Sequence, residues 1–114
     1  MGYIATSLAV SDVAASSRFY REVLGFTEWF NYGEAACGVM FQGSRVLLHK
    51  GQPSGPKGTG LYIVLDSGID EVYARLKEHV TILTEIGDRH WGDRTFEMAD
   101  LDGYHLEFAQ ELKR

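Results

Sequence analysis

The stretch DLDGYHLEF, residues 100–108, joins a tight turn to an alternating strand. Aspartate tolerates turn conformations and glycine allows a positive φ, so Asp100 to Gly103 predict a turn. The residues after the turn alternate between apolar and polar, which is the period of a half-buried β-strand. The apolar positions are Tyr104, Leu106 and Phe108. We expect these to face helices, which leaves His105 and Glu107 on the opposite face of the strand.

The rest of the second half predicts three more strands and one helix. Strand-forming segments occupy residues 61–65, 81–86 and 94–99, and the turn is followed by a strand over 104–109. A helix is expected after the first of these strands, because apolar residues recur there at helical spacing. Those residues are Ile69, Val72, Tyr73 and Leu76. Ser67 and Asp70 stand where a capping box would begin this helix.

The first half predicts the same order of elements. Strands are expected over residues 3–10, 26–31, 36–41 and 45–50, and a helix over 12–24. Ser11 or Asp12 can cap this helix, and Gly25 can end it. Each half therefore predicts strand, helix, strand, strand, strand.

The ends of the two halves also align without gaps at a spacing of 58 residues. Identical pairs are Met40 and Met98, Leu48 and Leu106, and Gln52 and Gln110. This register places His49 opposite Glu107. The repeated order of elements indicates an internal duplication. We predict a single domain, 1–114, with a first module of about 1–52, a Gly- and Pro-rich linker of about 51–60, and a second module of about 60–114.

One helix cannot cover both faces of a four-stranded sheet. The expected fold is therefore α+β: two βαβββ modules form a curved mixed sheet, with the helices on the outer face. The concave face is left as a central cup between the repeats, which is a usual place for a ligand site.

Composition narrows the classes of function. The formal net charge of −5 disfavours nucleic acid as a partner, since that binding relies on Lys and Arg. The single cysteine, Cys37, cannot form an internal disulfide, as is typical of a reducing compartment, and is expected to be a small buried apolar residue. No apolar run has the length of a membrane span, and no signal peptide is recognised at the N-terminus. We expect a cytoplasmic protein with no membrane partner.

Two motifs resemble a known superfamily. They are SDVAASSRFYREVLGF, residues 11–26, and HWGDRTFEMADLDGYHLEF, residues 90–108. Together with the paired βαβββ order they are similar to the vicinal oxygen chelate superfamily, which includes glyoxalase I, extradiol dioxygenases, fosfomycin-resistance enzymes and bleomycin-resistance proteins. The likeness extends over nearly the whole chain. Leu101 departs from the pattern, because the family usually has proline there.

The resemblance implies four metal-ligand positions, one on the first and one on the last strand of each half. Glu107 and His49 match the two last-strand positions. The first strands, residues 1–10 and 59–65, contain no His, Asp, Glu or Cys, and the matching positions there are Ala5 and Gly60. Catalytic zinc wants three protein ligands. We therefore expect no metal cofactor. Any metal would rest on His49 and Glu107, with His105 as an unusual third ligand.

This departure favours the bleomycin-resistance-like branch, which the segment LGFTEWFNYGEAACGVMFQGSRVLLHK, residues 24–50, also resembles. Such proteins bind a bulky, partly cationic aromatic drug at a dimer interface and withhold it from its target. The resemblance implies a homodimer that binds a flat, possibly cationic, small organic molecule in the cup or a dimer groove, with a role in antibiotic resistance. The candidate pocket residues are His49, Glu107, Trp29, Trp91, His105, Tyr62 and Phe96.

Other interpretations of these residues remain. Glu107 could be a structural carboxylate bonded to a neighbouring strand or to Arg94, and the aromatic residues could pack in the core or at the dimer interface. The alternative function is a glyoxalase- or dioxygenase-type enzyme in which Glu107 acts as a base or a metal ligand. A protein-interaction module that merely kept the fold is a third interpretation, since fold alone does not fix function.

Overall fold

The computed structural model describes residues 2–54 and 60–112. The chain divides into two compact units, Met1–Ser54 and Gly55–Arg114, which we call unit 1 and unit 2. Part of the predicted linker, residues 55–59, lies outside the described residues.

Unit 1 has the predicted βαβββ order. Its elements are β1 (Ala5–Val10), α1 (Val13–Arg18), a π-helical turn (Phe19–Val23), β2 (Thr27–Asn31), β3 (Ala36–Phe41) and β4 (Ser44–Lys50). The strands form one sheet in the order β1-β4-β3-β2, in which β1 and β4 are parallel and the other neighbours are antiparallel.

The ends of helix α1 follow from its sequence. The side chain of Asp12 caps it by accepting a hydrogen bond of 3.0 Å from the backbone N–H of Ala15. The helix continues through the π-helical turn and stops before Gly25, whose φ of 85° favours glycine. It covers one face of the sheet, where Leu8, Val10 and Leu48 are almost fully buried. That apolar burial holds the unit together.

Unit 2 repeats this architecture. Its elements are β5 (Gly60–Leu65), α2 (Ile69–Leu76), β6 (Thr81–Asp88), β7 (Asp93–Ala99) and β8 (His105–Glu111), and the sheet order is β5-β8-β7-β6. The α+β class and the two βαβββ modules predicted from the sequence are therefore confirmed. Hydrogen bonding groups the strands into two four-stranded sheets, one in each unit. Among the described residues, no helix has the length and hydropathy needed to cross a membrane.

The capping box predicted for α2 is wrong. Gly68 is the N-cap residue, with a φ of 81°, and no side chain caps the helix from that position. The first helical N–H, that of Ile69, instead donates a hydrogen bond of 2.9 Å to the side-chain oxygen of Gln110 on β8. A tertiary contact therefore replaces the local cap, because an unpaired N–H at a helix start can donate to any well-placed oxygen.

The turn and strand predicted from residues 100–108 are confirmed. The Asp100 side chain accepts hydrogen bonds from the backbone N–H groups of Asp102 and Tyr104, and Gly103 has a φ of 87°. The three apolar residues predicted to face the helix do so and are buried. They are Tyr104, Leu106 and Phe108. His105 and Glu107 therefore lie on the face of the sheet opposite α2.

The pairing of residues between neighbouring strands shows that the 58-residue spacing does not give the correct correspondence between the two modules. The parallel pairs start at Ala5 with Arg45 in unit 1 and at Gly60 with His105 in unit 2. Counted from these pairs, the residue of β4 that corresponds to Glu107 is Leu47, and His49 lies two residues further along. Met40 and Met98 also do not occupy equivalent positions in the two modules. Met40 pairs with Arg45 on the face opposite the helix, whereas Met98 pairs with Leu106 inside the core.

Candidate functional site

The surfaces of interest are the helix-free faces of the two sheets, since the helices bury the other faces. In unit 2 the ladders bring several carboxylates to this surface, which we call the acidic face. Its members are Tyr62, Asp93, Glu97, His105, Glu107 and Glu111. In unit 1 the corresponding surface, which we call the aromatic face, carries a different set. Its members are Tyr3, Trp29, Phe30, Gly38, Arg45, Leu47 and His49.

Glu107 lies at the centre of the acidic face. It pairs with Tyr62 of β5 on one side and with Glu97 of β7 on the other. Like charges directly opposite each other on neighbouring strands destabilise a sheet. Within residues 2–54 and 60–112, Glu107 has neither a hydrogen-bond partner nor an ion-pair partner. The sheet therefore holds two adjacent carboxylates where its own stability disfavours them.

The neighbours of Glu97 fix its position. Thr84 Oγ1 donates a hydrogen bond of 2.8 Å to one carboxylate oxygen. His105 Nδ1 lies 3.9 Å from the other oxygen, a distance at which a protonated imidazole would form an ion pair. A bulge in β6, where the register with β7 shifts between Ile82 and Thr84, places Thr84 opposite Glu97. Glu97 thus has two polar protein neighbours, whereas Glu107 has no such partner among the described residues.

Arg94 does not bond Glu107, so that structural interpretation of Glu107 is wrong. Arg94 alternates onto the helix side of β7, where it pairs with Asp70 at 3.0 Å and with Asp88 at 2.9 Å. These two carboxylates raise the pKa of the Arg94 guanidinium. Arg94 is therefore paired on the other face of the sheet, while Arg89 donates to Thr95 Oγ1 on the same side of β7 as Glu97.

Tyr62 and Trp91 extend the acidic face with aromatic surface. The Tyr62 hydroxyl donates a hydrogen bond of 2.6 Å to Asp93 and accepts one of 3.1 Å from the indole Nε1 of Trp91. Partial burial and the bond to Asp93 raise the pKa of Tyr62 above its usual value. Both rings are about half exposed, at 48% for Tyr62 and 50% for Trp91. They are held in place by polar contacts and still present ring surface to a ligand.

A concavity of about 200 Å³ lies on this face. Its lining residues are Gly60, Leu61, Tyr62, Glu97, His105 and Glu107. Gly60 forms part of the floor, where a Cβ atom would stand 3.0 Å from the backbone oxygen of His105. The concavity therefore brings together three of the residues predicted from the sequence, namely Tyr62, His105 and Glu107.

The aromatic face holds Trp29 and His49 in unit 1. Trp29 packs edge to face against Tyr3 and Phe30, with ring centroids 5.6 Å and 5.0 Å away. Gly38 makes this arrangement possible, because a Cβ there would lie 2.5 Å from a Phe30 ring atom and 2.6 Å from a Trp29 ring atom. His49 lies further along β4, between Ala9 and Ala36 in the ladders.

Phe96 is removed from the set of pocket candidates. It is fully buried on the helix side of β7, stacked on Phe108 at 5.1 Å and edge to face with Tyr73 of α2. Its neighbour Glu97 is on the acidic face instead. Sequence reasoning missed Glu97, although strict alternation along β7 around the buried Phe96 would have identified it.

The residues at the family's metal positions do not fit a metal centre. With the register given by the ladders, these positions carry Ala5, Leu47, Gly60 and Glu107, and only the last is a metal-ligand side chain. In the part of the chain that the structure describes, no three His, Cys, Asp or Glu side chains form a group that could hold a metal ion. No step of the proposed function passes through a metal.

Comparison with known proteins agrees with this architecture. The family model described as the Glyoxalase/Bleomycin resistance protein/Dioxygenase superfamily matches residues 1–108. A member of that superfamily from Sphaerobacter thermophilus DSM 20745 is 25% identical, with a TM-score of 0.81, and the match covers 97% of this chain and 98% of that one. No protein in the curated comparison matches significantly.

Two further crystal structures share the fold at lower identity. TioX from Micromonospora sp. ML1 is 20% identical, with a TM-score of 0.82 and coverage of 98% of this chain and 100% of that chain. Lactoylglutathione lyase from Agrobacterium tumefaciens is 18% identical, with a TM-score of 0.77 and coverage of 96% and 92%. These two likenesses bear on the fold alone.

Proposed function

The chain belongs to the Glyoxalase/Bleomycin resistance protein/Dioxygenase superfamily, and on that premise we propose that it binds a flat organic cation on the acidic face of unit 2. The main observation behind this proposal is that two carboxylates, those of Glu97 and Glu107, lie opposite each other on neighbouring strands beside two half-exposed aromatic rings. A cationic ligand would offset the repulsion between the carboxylates, and Tyr62 and Trp91 would contact its flat surface. Binding without chemistry is the function proposed.

The contacts of the face support this assignment. The Trp91 indole N–H donates to the Tyr62 hydroxyl, which in turn donates to Asp93, so little side-chain freedom is lost when a ligand stacks on the two rings. Glu107 has no protein partner within the described residues, so it is available to an ammonium or amidinium group. The free energy that the sheet loses by holding Glu107 opposite Glu97 is recovered when the ligand binds.

We further propose that the protein is a cytoplasmic homodimer. Cys37 is buried and unpaired, which suits a reducing compartment. Sedimentation equilibrium tests the dimer, and a single species at the monomer mass of 12.8 kDa over the whole micromolar range would contradict it.

A matched set of naphthalene probes tests the ligand class. The probes are 2-naphthylmethylammonium, 2-naphthamide and 2-naphthoate, which share a ring system and carry charges of about +1, 0 and −1 at neutral pH. The chain has two tryptophans, one associated with each face, so the two indole N–H signals in a proton–nitrogen NMR spectrum report the faces separately. We expect the ammonium probe to shift the Trp91 signal and to bind more tightly there than the amide.

Glu107→Gln should weaken binding of the ammonium probe by roughly three- to tenfold, the effect of about 1 kcal/mol in binding free energy, and should not alter binding of the amide. Glu78→Gln, which removes an exposed carboxylate beyond the end of α2, is the matched control. Equal affinity of both probes for the wild-type protein would overturn the proposal. So would a stoichiometric transition metal that is bound by the wild-type protein and lost in Glu107→Ala, since that result favours an enzyme.

A further inference from the structure

Arg45 occupies an unusual position in unit 1. It lies on the central strand β4, and its ladder partners on either side are Ala5 and Met40. The guanidinium carbon lies 3.9 Å from the centroid of the Tyr3 ring and 4.9 Å from that of the Trp29 ring. Two aromatic side chains therefore hold the charged group of Arg45 on the aromatic face.

The Nε atom of Arg45 lacks the hydrogen-bond acceptors that Arg89 and Arg94 have in the described part of the chain. This nitrogen is buried and, among the described residues, has no hydrogen-bond acceptor. By contrast, Arg89 donates to Thr95 Oγ1 and to two backbone oxygens, and Arg94 pairs with two aspartates. A buried donor without an acceptor costs free energy unless something else supplies the acceptor.

The surroundings of Arg45 also lack counter-charge. Of the residues that the described ladders place on the aromatic face, none is Asp or Glu. The absence of a side chain at Gly38 lets the Phe30 and Trp29 rings lie on the sheet, and the ladder partner Ala5 adds little bulk beside Arg45. The remaining neighbours, Leu47 and Met40, are apolar. Within the residues that these ladders describe, the site thus offers a cation and flat apolar walls without a competing carboxylate.

We propose that Arg45 forms a binding site for the carboxylate of a flat aromatic acid on the aromatic face of unit 1. Arginine presents a planar fork of N–H donors that matches a carboxylate through two parallel hydrogen bonds. The aromatic part of the ligand lies against Trp29 and Tyr3. This site is separate from the acidic face in its residues, its charge and the ligand group that it recognises.

The naphthalene probes test this site through the Trp29 signal. 2-Naphthoate should shift the Trp29 indole signal and bind at least tenfold more tightly there than 2-naphthamide. Arg45→Met should abolish this preference for the acid, and Arg45→Lys should keep only part of it, because an ammonium cannot form the paired contact. Arg18→Gln, which removes an exposed arginine of α1, should leave the affinity for naphthoate unchanged.

Two results would overturn the proposal: naphthoate and naphthamide binding equally at Trp29, or Arg45→Met retaining the preference for the acid. Should Arg45→Met fail to fold, the Arg45 Nε–H signal of the wild-type protein decides. It should move on adding naphthoate and stay in place with naphthamide, and the reverse pattern counts against the site. Tyr3→Leu replaces a residue that is 58% exposed. It should weaken the binding of naphthoate without unfolding unit 1.

The two proposals can be tested independently of each other. The weakening of ammonium binding at Trp91 in Glu107→Gln tests the acidic face and leaves the naphthoate result at Trp29 intact. Conversely, Arg45→Met should not change the affinity of the ammonium probe at Trp91.

Discussion

The two helix-free faces are built on the same ladders and carry opposite chemistry. Their central cross-strand rows compare position by position. In unit 1 the row is Ser7, Leu47, Gly38 and Phe30, and in unit 2 it is Tyr62, Glu107, Glu97 and Thr84. In each case a bulge precedes the last residue. The two units thus share one backbone repeat, while the side chains on the helix-free faces have diverged into a cationic aromatic surface and an acidic one.

This difference distinguishes the residues that stabilise the fold from the residues that are available to a ligand. On the helix side both sheets carry the same kind of apolar residue, for instance Leu48 in unit 1 and Leu106 in unit 2, each fully buried. On the helix-free side nothing in the packing of the core requires either Arg45 or Glu107. Polar groups held at an energetic disadvantage are expected at functional sites.

The largest expected effect comes from Gly38→Ala. Its Cβ would stand 2.5 Å from the Phe30 ring and 2.6 Å from the Trp29 ring, so both rings must move off the sheet. We expect the free energy of unfolding to fall by about 1–3 kcal/mol, as for overpacking, together with loss of the aromatic contact to Arg45. Urea denaturation measures the first effect and the Trp29 indole signal the second.

Gly43→Ala is the matched control, because no atom lies within 4 Å of the added Cβ and its φ is not positive. Its stability should stay within about 0.5 kcal/mol of wild type. If Gly38→Ala is as mild as Gly43→Ala, the two rings do not depend on the missing side chain, and Gly38 is not what lets them lie on the sheet beside Arg45.

A smaller effect, of opposite sign, is expected on the acidic face. Glu107→Gln removes the charge repulsion with Glu97 and should raise the free energy of unfolding by about 0.2–1 kcal/mol, while binding of the ammonium probe weakens. Glu78→Gln should change neither quantity. A Glu107→Gln protein that is less stable than wild type would show that the carboxylate serves the sheet and not a ligand.

Much of the fold is predictable from the sequence because a strand with one buried face alternates between apolar and polar residues. In residues 104–108 the turn at Asp100 and the apolar positions fix the strand and place His105 and Glu107 correctly. Helix α1 is similarly determined by Asp12 at its start and Gly25 beyond its end. These signals are local, so they can be read without knowing which strands pair.

The site is harder to predict because it depends on register between strands. Sequence identity at a spacing of 58 residues places His49 opposite Glu107, whereas the ladders place Leu47 there. The hairpin between the last two strands encloses one more residue in unit 2, where Ala99 pairs with His105, than in unit 1, where Met40 pairs with Arg45, so no single ungapped spacing aligns both strands of the two units. The pocket prediction for Phe96 fails for a related reason, since it rests on aromatic character without the alternation of β7.

The cluster around Arg45 is not visible in the sequence either. Tyr3, Trp29 and Arg45 are far apart along the chain, and only the β1-β4-β3-β2 order brings them together. A bulge between Glu28 and Phe30 then turns Trp29 onto the helix-free face. Such an irregularity has no sequence signal of its own.

The smallest effect concerns Tyr62, which has no equivalent ring in unit 1, where Ser7 occupies the position. Because its pKa is raised, the unfolded chain releases this proton at a lower pH than the folded protein does. The stabilising contribution of the neutral hydroxyl is therefore complete below about pH 10 and is lost as the pH rises through the higher pKa of the folded state. In Tyr62→Phe the free energy of unfolding should consequently fall less steeply as the pH rises above about 10 than in wild type. Urea denaturation at a series of pH values measures the two slopes, and the tyrosinate absorbance of the folded protein should lose a component that titrates above the ordinary tyrosine value. Identical slopes would mean that the Tyr62, Asp93 and Trp91 contacts do not persist in solution, and the acidic face would then lose the fixed aromatic wall on which stacking of a flat cation depends.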